Sequence, residues 1–388
     1  MEEVVIVGAK RTPIGKINKS LAPYTAVELG TIATQAALKQ AQVDPELVEQ
    51  VIFGNAIQAG NGQNVARQIE INAGLSSKST AFTVNQVCGS GLKAIQSAMN
   101  ELMLGNAEVI IAGGTESMSN VPFLNKNQRT GTKFGSVTLE DALETDGLTD
   151  AFSEMPMGIT GENVADQFNV SREEQDQFAL ASHQKALAAY QRDAFADEII
   201  PVLLPSGDVM AVDESIRADT SLEKLAKLKP AFLPNGTITA GNAPTLNDGA
   251  AALVLTTAKF AKVHHLTVLA KLNGYAEHGI DPSIMGYAPY YAVNKLLDRQ
   301  NHSIEDIDLF EINEAFASQS VAVTRDLHIP ANKINVNGGA IALGHPLGDS
   351  GARIVTTLIY NLKHAHKHSG IATLCMGGGI GAALSVEV

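Results

Sequence analysis

The sequence contains no tryptophan and only two cysteines, Cys88 and Cys375, among its 388 residues. Two cysteines do not make a disulfide framework, and a reducing cytosol would keep both as thiols. They are also too few for a structural zinc site, and the ten histidines show no paired spacing around them. The two thiols are therefore either apolar core residues or reacting groups.

The chain also lacks a concentrated positive charge. Its formal net charge is −13, and no basic stripe interrupts the acidic composition. Nucleic acids and anionic membranes both require a basic surface, so neither is expected as a partner. A small polyanionic substrate stays possible, because a few local lysines and arginines are enough to bind it.

Long apolar runs are missing as well. The most apolar stretches, such as Glu108-Val-Ile-Ile-Ala-Gly and Ala250-Ala-Ala-Leu-Val-Leu, fall far short of the roughly 20 residues that a membrane-spanning helix needs. The start, Met-Glu-Glu-Val-Val-Ile-Val-Gly, carries acid where a signal peptide has basic residues. We therefore expect a soluble, cytoplasmic protein with no membrane partner.

Short apolar runs alternate with amphipathic stretches along the chain, which predicts an α/β protein with a largely parallel sheet. Val4–Gly8 and Val51–Gly54 are predicted strands, and Leu29–Gln40 is a predicted helix with apolar residues at helical spacing. The stretch 119–244 is richer in polar residues and has a less regular pattern. We interpret it as an inserted lobe that carries substrate contacts.

Three fragments near the start of the chain have matches near its end, in the same order. The pairs are Ile52-Phe-Gly-Asn with Leu309-Phe-Glu-Ile-Asn, Cys88-Gly-Ser-Gly-Leu-Lys with Asp349-Ser-Gly-Ala-Arg, and Val109-Ile-Ile-Ala-Gly-Gly with Thr373-Leu-Cys-Met-Gly-Gly. Ordered matches of this kind predict a duplicated α/β half. The predicted divisions are a first half at 1–118, completed by about 245–267, the lobe at 119–244, and a second half at 268–388.

Two residues with reactive side chains occupy corresponding places in these halves. Cys88 lies between a predicted strand, Ala81–Val87, and a helix that runs from Gly89 to about Leu104. A helix N-terminus stabilises a thiolate, so this position suits a nucleophile, although a buried core cysteine fits the pattern equally well. His345 follows in a Gly- and Pro-rich loop before the matching helix, and it suits a general base.

Other candidates follow predicted strands. Cys375 is followed by a glycine run that no helix continues, which rules out a phosphate-binding loop and leaves backbone N–H groups for an oxyanion hole. Asn313 follows the strand Asp308–Phe310, and by itself this pattern favours a helix N-cap. Glu116 and Glu314 are possible general acids, but neither has a visible partner in the sequence.

Six motifs in order resemble those of the thiolase family, over essentially the whole chain, and most closely its acetyl-CoA C-acetyltransferase members. They are Lys10-Arg-Thr-Pro-Ile-Gly, Asn85-Gln-Val-Cys-Gly-Ser-Gly, Ala112-Gly-Gly-Thr-Glu-Ser-Met, Asn313-Glu-Ala-Phe-Ala, Gly344-His-Pro-Leu-Gly and Cys375-Met-Gly-Gly-Gly. The resemblance implies the layered αβαβα thiolase fold. It also implies a Claisen condensation of two acetyl-CoA to acetoacetyl-CoA and CoA, with thiolysis as the reverse reaction.

The resemblance also implies the roles of the site residues. Cys88 would carry the acyl group, His345 would activate it, and Cys375 would remove the α-proton of a second acetyl-CoA. The backbone N–H groups of Cys88 and Gly377 would form one oxyanion hole. A water held by Asn313, together with His345, would form the other, which replaces the N-cap interpretation of Asn313.

The same resemblance implies coenzyme A contacts in the stretch Arg217–Pro244, no metal, no cofactor beyond coenzyme A itself, and a homodimer or homotetramer. The candidate contacts with coenzyme A are Arg217, Lys224, Ala240, Gly241 and Ala243. Two residues depart from the usual pattern: Pro244 stands where relatives usually have Ser, and Pro156 stands where many short-chain members have His. The sequence therefore does not decide whether one of the expected hydrogen bonds to coenzyme A forms, or which acyl length is preferred.

Three alternatives differ from this expectation in identifiable ways. A 3-ketoacyl-CoA thiolase would use the same residues on longer acyl chains. A decarboxylating ketoacyl synthase would pair Cys with His-His or His-Asn and needs no second cysteine. A catalytically silent acyl-CoA-binding relative would lack one of the three reacting residues, and all three are present in this chain.

Overall fold

The structure, a computed structural model, describes residues 2–388. Its strands are β1 Val4–Arg11, β2 Gly15–Lys16, β3 Gln50–Gly54, β4 Thr80–Val84, β5 Val109–Ser117, β6 Phe123–Leu124, β7 Glu140–Asp141, β8 Val202–Leu203, β9 Val209–Met210, β10 Asn247–Thr257, β11 Ala270–Gly279, β12 Leu309–Ile312, β13 Ser369–Met376 and β14 Ile380–Glu387. Its α-helices are α1 Ala26–Ala41, α2 Val65–Asn72, α3 Ser90–Met103, α4 Met157–Gln167, α5 Arg172–Gln191, α6 Leu222–Ala226, α7 Ala258–Val263, α8 Ala288–Gln300, α9 Ala317–Asp326, α10 Ala340–Leu343 and α11 Ser350–Ala365.

The main sheet shows the duplication directly. Its strand order is β12-β13-β14-β11-β1-β10-β5-β3-β4, with β2 attached to β10. In the first half β3 pairs parallel with β5, and β5, β10 and β1 follow in antiparallel pairs. In the second half β12 pairs parallel with β13, and β13, β14 and β11 follow in antiparallel pairs. The halves join where β1 and β11 pair antiparallel over three residues.

Helices cover both faces of each half and give the expected five layers. Helix α3 packs on β3 and β5, α11 packs on β12 and β13, and the two helices contact each other in the central layer. Every residue of α11 from Ser350 to Leu362 is buried, as expected of a helix that is surrounded on all sides. Helices α1 and α2 cover the outer face of the first half, and α8 and α9 cover that of the second. The expected α/β fold with two duplicated halves is confirmed.

Three local expectations are wrong. The sheet is mixed rather than largely parallel, because most neighbouring strands pair antiparallel. One of these pairs forms where β13 turns back into β14 through Gly378 and Gly379, whose positive φ angles permit a tight turn. The strand predicted over 81–87 ends at Val84, since the chain leaves the sheet before the cysteine. The loop before His345 contains one helical turn, α10, despite its glycines.

The segment between β5 and β10 contains the short hairpins β6-β7 and β8-β9 and the helices α4, α5 and α6. Helices α4 and α5 both pack against α9, and α5 also packs against α10. This segment therefore lies against the second half, beside the loops that carry Asn313 and His345. Within residues 2–388, no helix is both long enough and apolar enough to cross a membrane.

Candidate active site

Cys88 lies on a strained turn between β4 and α3. The residue before it, Val87, has φ +49°, a left-handed conformation that is unfavourable for a β-branched side chain. Hydrogen bonds hold this turn: the Ser90 hydroxyl donates to the Val87 carbonyl at 2.7 Å and accepts from the Gln86 N–H at 2.9 Å. The Asn85 side chain accepts from the Val87 N–H and donates to the Ala56 carbonyl, both at 2.9 Å. The surrounding contacts thus fix the direction of the thiol.

The Cys88 sulfur is buried and faces two backbone donors, the N–H groups of Gly377 and of Cys88 itself. Burial raises the pKa of this thiol to about 12, although both N–H groups act in the opposite direction. The helix N-terminus was expected to stabilise the thiolate, so burial outweighs that effect here. Cys88 is therefore a neutral thiol at rest, and it would need a base to act as the predicted nucleophile.

His345 is buried in the loop between α10 and α11, with 6% of its surface exposed. Its backbone N–H donates to the Asn247 side chain at 3.0 Å, which anchors the loop to β10. Its ring nitrogens have separate partners: Nδ1 lies 2.5 Å from the Ser350 hydroxyl and Nε2 lies 3.4 Å from the Asn313 amide nitrogen. Burial lowers the pKa of His345 to about 3, and the charge of Arg353 acts in the same direction. The imidazole is therefore neutral at rest and able to accept a proton.

Asn313 does not cap a helix, so that interpretation of the sequence was wrong. Helix α9 begins at Ala317 with Phe316 as its N-cap residue, and Asn313 lies in the turn between β12 and α9. Its backbone N–H donates to the Thr373 carbonyl at 2.9 Å. Its side-chain oxygen is buried and has no hydrogen-bond partner among residues 2–388. A buried acceptor of this kind suits a bound water or a substrate group.

Cys375 lies near the end of β13 and is fully buried. Burial raises the pKa of its thiol well above the usual range, and the charge of a Cys88 thiolate would raise it further. Cys88 is thus close enough for its charge to act on Cys375, but Cys375 is not among the residues that line the cavity described below. The β13-β14 turn that follows carries Gly377, so one hairpin carries both the second thiol and the predicted oxyanion donor beside the first.

Glu116 and Glu314, both suggested as general acids, are fully buried and act as anchors. The Glu116 carboxylate accepts N–H groups from the Asn55 side chain, Ala56 and Ile57 on one side and from Gly348, in the His345 loop, on the other. Burial raises the pKa of Glu116 to about 7. The Glu314 carboxylate accepts from three donors, which are Ser182, Asn335 and the Ile341 N–H. Neither carboxylate is among the residues that line the cavity described next.

A cavity of about 410 Å³ opens over the nucleophile, and both Cys88 and His345 line it. Most of its wall is apolar, including Met118, Leu148, Met157, Phe232 and Phe316. Part of the wall comes from a π-helical turn, Glu144–Leu148, in the segment between β5 and β10. The two prolines that depart from the usual pattern, Pro156 and Pro244, also line the cavity. The arrangement offers an apolar channel to a buried thiol and an adjacent neutral base.

The five residues predicted to contact coenzyme A lie in different environments. Ala243 lines the cavity. Arg217 and Ala240 are exposed, and Gly241 is buried with no room for a side chain beside Leu225. Lys224 is exposed and forms an ion pair with Asp219 at 2.6 Å. These four residues are not among those that line the cavity, so their contacts with coenzyme A stay predictions.

The sequence reasoning missed Ser350, which contacts the imidazole, and Val87, whose backbone shapes the nucleophile turn. A signal for Ser350 was present, because Ser-Gly opens both α3 and α11 at matching places in the repeat. The apolar lining residues Met157 and Phe316 were also missed, although Phe316 stands in the motif Asn313-Glu-Ala-Phe-Ala, because an apolar side chain lines a cavity or fills a core with the same sequence pattern.

Comparisons with known proteins show which family the chain resembles. The family model for the N-terminal domain of thiolase matches residues 4–259, and the model for the C-terminal domain matches residues 266–388. A probable acetyl-CoA acyltransferase of Staphylococcus epidermidis is 50% identical over 100% of this chain and 99% of its own length. An acetyl-CoA acetyltransferase of Cupriavidus necator is 48% identical, with 100% of both chains covered.

Two solved structures have the same fold. The crystal structure of the Bacillus anthracis acetyl-CoA acetyltransferase matches with a TM-score of 0.98 and 44% identity, covering 100% of this chain and 99% of the other. The crystal structure of human mitochondrial 3-ketoacyl-CoA thiolase matches with a TM-score of 0.97 and 43% identity, covering 100% and 98%. Because two family models together span nearly the whole chain and the relatives match over their full length, this chain belongs to the thiolase family.

Proposed function

We propose that this chain is an acetyl-CoA C-acetyltransferase that condenses two acetyl-CoA to acetoacetyl-CoA and CoA, and that it also catalyses the reverse thiolysis. The observation that carries the proposal is the Cys88 thiol, held against the N–H of Gly377 and sharing one cavity with a neutral His345. The similarity to relatives named acetyl-CoA acetyltransferase supports the choice of substrate.

The first half-reaction transfers an acetyl group to Cys88. Nε2 of His345 takes the thiol proton, and the sulfur attacks the thioester carbonyl, which forms a carbon–sulfur bond. The N–H groups of Cys88 and Gly377 hold the resulting oxyanion. When the tetrahedral intermediate collapses, the bond to the coenzyme A sulfur breaks and that sulfur takes the proton back from His345. The products are free CoA and acetyl-Cys88.

The second half-reaction forms the carbon–carbon bond. Cys375 first gives its proton to the neutral His345 and then, as a thiolate, removes the α-proton of a second acetyl-CoA. The enolate oxygen is stabilised by the imidazolium and by a water on Asn313. The enolate carbon attacks the acetyl carbonyl, the bond to Cys88 breaks, and the Cys88 thiolate recovers the proton held by His345. Both thiols are neutral again at the end of the cycle.

Mass spectrometry tests the acyl-enzyme directly. After incubation with acetyl-CoA, quenching and digestion, we expect the acetyl group on the peptide that contains Cys88. The Cys88→Ala variant should not acylate, which serves as the matched control. An acetyl group found only elsewhere, or on no peptide, would contradict the proposed mechanism.

A 3-ketoacyl-CoA thiolase acting on longer chains is the second candidate function. Two observations favour it: the cavity wall is mostly apolar, and the similarity to human mitochondrial 3-ketoacyl-CoA thiolase is almost as high as that to the acetyltransferase structure. Pro156 and Pro244 also line the cavity, and neither has an N–H or a side-chain donor that could form a hydrogen bond with a short substrate. Comparing kcat/KM for thiolysis of acetoacetyl-CoA with that of 3-ketoacyl-CoA of increasing length separates the two functions.

The partners of the proposed reaction are acetyl-CoA, acetoacetyl-CoA and CoA. Coenzyme A takes part as substrate and product, and the two thiols and the imidazole perform the chemistry without a further cofactor. We propose a cytoplasmic location, because a reducing cytosol keeps Cys88 and Cys375 as the thiols that the reaction uses. The net charge of −13 supports the absence of nucleic-acid and membrane partners.

A homodimer or homotetramer completes the proposal. Strand β4 is at the edge of the main sheet, and each of its five residues is at least partly exposed, with Phe82 at 40%. An exposed edge strand with an apolar side chain can pair with a second copy of itself. Sedimentation equilibrium of the native chain and of a Phe82→Lys variant tests this, since a shift of the variant to monomer is expected and an unchanged mass would contradict it.

A further inference from the structure

Ser350, the first residue of α11, contacts the imidazole of His345 and has no role in the reaction described above. Its side chain is buried, with 1% of the residue surface exposed. The hydroxyl oxygen lies 2.5 Å from Nδ1 of His345 and 2.8 Å from the carbonyl oxygen of Pro346. These two contacts together determine which ring nitrogen carries the proton.

A hydroxyl has a single proton to donate, and a carbonyl oxygen can only accept. The Ser350 proton is therefore committed to the Pro346 carbonyl. The contact with the imidazole must then use a proton on Nδ1, which the hydroxyl oxygen accepts. In a neutral ring this leaves Nε2 without a proton, and the amide nitrogen of Asn313, 3.4 Å from Nε2, is a donor that fits a bare nitrogen.

We propose that Ser350 is a positioning residue for catalysis: it holds His345 in the tautomer protonated at Nδ1, so that Nε2 keeps an unprotonated lone pair that can take the Cys88 proton. The inference rests on the proposed function for its catalytic meaning. With the opposite tautomer, Nε2 would carry the ring proton and could not act as a base until the ring changed its tautomer.

The repeat supplies a second observation. Ser90 opens α3 as Ser350 opens α11, and it also accepts one hydrogen bond while donating another to a backbone carbonyl. The Ser90 bonds fix the turn that carries Cys88, and the Ser350 bonds fix the loop that carries His345. The two halves thus use the same helix-opening hydroxyl to orient their reactive groups.

Nitrogen NMR of the unliganded wild-type protein tests the tautomer without any substrate. The protein is labelled with ¹⁵N-histidine, and the His345 signals are assigned by their loss in a His345→Asn variant. We expect a protonated, pyrrole-type Nδ1 and an unprotonated, pyridine-type Nε2 at neutral pH. The reverse pattern would overturn the inference, and it would leave the acetylation of Cys88 as a separate question.

The functional readout compares Ser350→Ala with Thr356→Val. Thr356 is a matched control, because it is buried in the same helix and its hydroxyl also donates to the carbonyl four residues earlier, Ala352, at 3.0 Å, without contacting the imidazole. We expect kcat to fall about 10- to 100-fold in Ser350→Ala, the usual effect of losing a group that orients a functional histidine. The KM for acetyl-CoA should stay within about twofold, because no binding contact is removed.

The rate of Cys88 alkylation by iodoacetamide provides a readout that does not depend on any acyl-CoA. We expect this rate to fall in Ser350→Ala and to stay at the wild-type value in Thr356→Val. Equal alkylation and equal kcat in both variants would overturn the inference. If Ser350→Ala does not fold, the wild-type NMR spectrum decides the question alone.

Discussion

Replacing Glu116 should weaken the fold and the chemistry together, because this carboxylate joins the two loops behind the catalytic groups. Its four donors are the side-chain amide of Asn55 and the backbone N–H groups of Ala56, Ile57 and Gly348, at 2.8 to 3.3 Å. Gly348 belongs to the His345 loop. The Ala56 carbonyl accepts a hydrogen bond from the side chain of Asn85, which lies in the turn that carries Cys88.

The magnitude follows from the number of donors left without an acceptor. Each buried donor that loses its partner costs about 1–3 kcal/mol, and relaxation or water entry recovers part of that, so Glu116→Ala should lower the free energy of unfolding by about 4 kcal/mol. Glu116→Gln keeps the shape but turns one oxygen into a donor that faces two N–H groups. For this variant we expect a loss of about 2 kcal/mol.

Urea unfolding at one fixed protein concentration measures these losses, and kcat for thiolysis of acetoacetyl-CoA measures the effect on the site. Glu223→Ala is the control, because Glu223 forms only an exposed ion pair with Lys227 and its removal should change neither quantity measurably. We expect kcat of Glu116→Ala to fall at least about tenfold, since both loops lose their common anchor. If Glu116→Ala unfolds like the control and keeps its kcat, the carboxylate does not hold the two loops.

Three further predictions test the site and its supports. Cys375→Ala should still acquire an acetyl group on Cys88 but should neither exchange α-protons in D₂O nor condense, and normal condensation would return Cys375 to a packing role. Burial raises the pKa of Asp349 to about 8, which is above its pKa in the unfolded chain. Its contribution to the free energy of unfolding is therefore fully present below the unfolded pKa and is lost as the pH rises through 8. In Asp349→Asn, the fall in unfolding free energy between pH 5 and 8.5 should therefore be smaller, and equal slopes would refute this. Gly91→Ala should lower the thermal midpoint by several degrees, because a Cβ there would lie 2.8 Å from the backbone nitrogen of Ala352.

The sequence was most informative where a reactive residue adjoins a regular element. Cys88 was a candidate because a strand, a thiol and a glycine-rich helix start follow one another, and the structure keeps that order. Asn313 was ambiguous for the same reason, since an asparagine after a strand fits either a cap or a site residue. Only the position of the next helix, which starts four residues later at Ala317, decides between them.

Strand direction and side-chain environment could not be predicted in this way. A buried strand is a continuous apolar run whether its neighbour is parallel or antiparallel. The glycines of the turn are therefore the only sequence signal that β13 turns back and pairs antiparallel with β14. The effect of burial on Cys88 is equally hidden. A helix N-terminus favours the thiolate, but the pKa depends on how much water reaches the sulfur, and that is decided by distant residues.

The close approach of two glycines explains why the duplicated halves form one site. A Cβ on Gly91 of α3 would meet the backbone of Ala352, and a Cβ on Gly351 of α11 would lie 2.3 Å from the nitrogen of Leu92. The starts of the two central helices therefore touch, which brings the loops before them, with Cys88 and His345, to one cavity.

The division of chemistry between the halves follows from this contact. In the proposed mechanism the first half supplies the nucleophile, whereas the second supplies the base, the second thiol and the Gly377 donor. Each half has a serine at the corresponding helix start, but only the one in the second half faces an imidazole. The two halves thus share their backbone arrangement and a hydroxyl at the helix start. They differ in the side chain near that hydroxyl, which is Cys88 in the first half and His345 in the second, and the proposed reaction uses both.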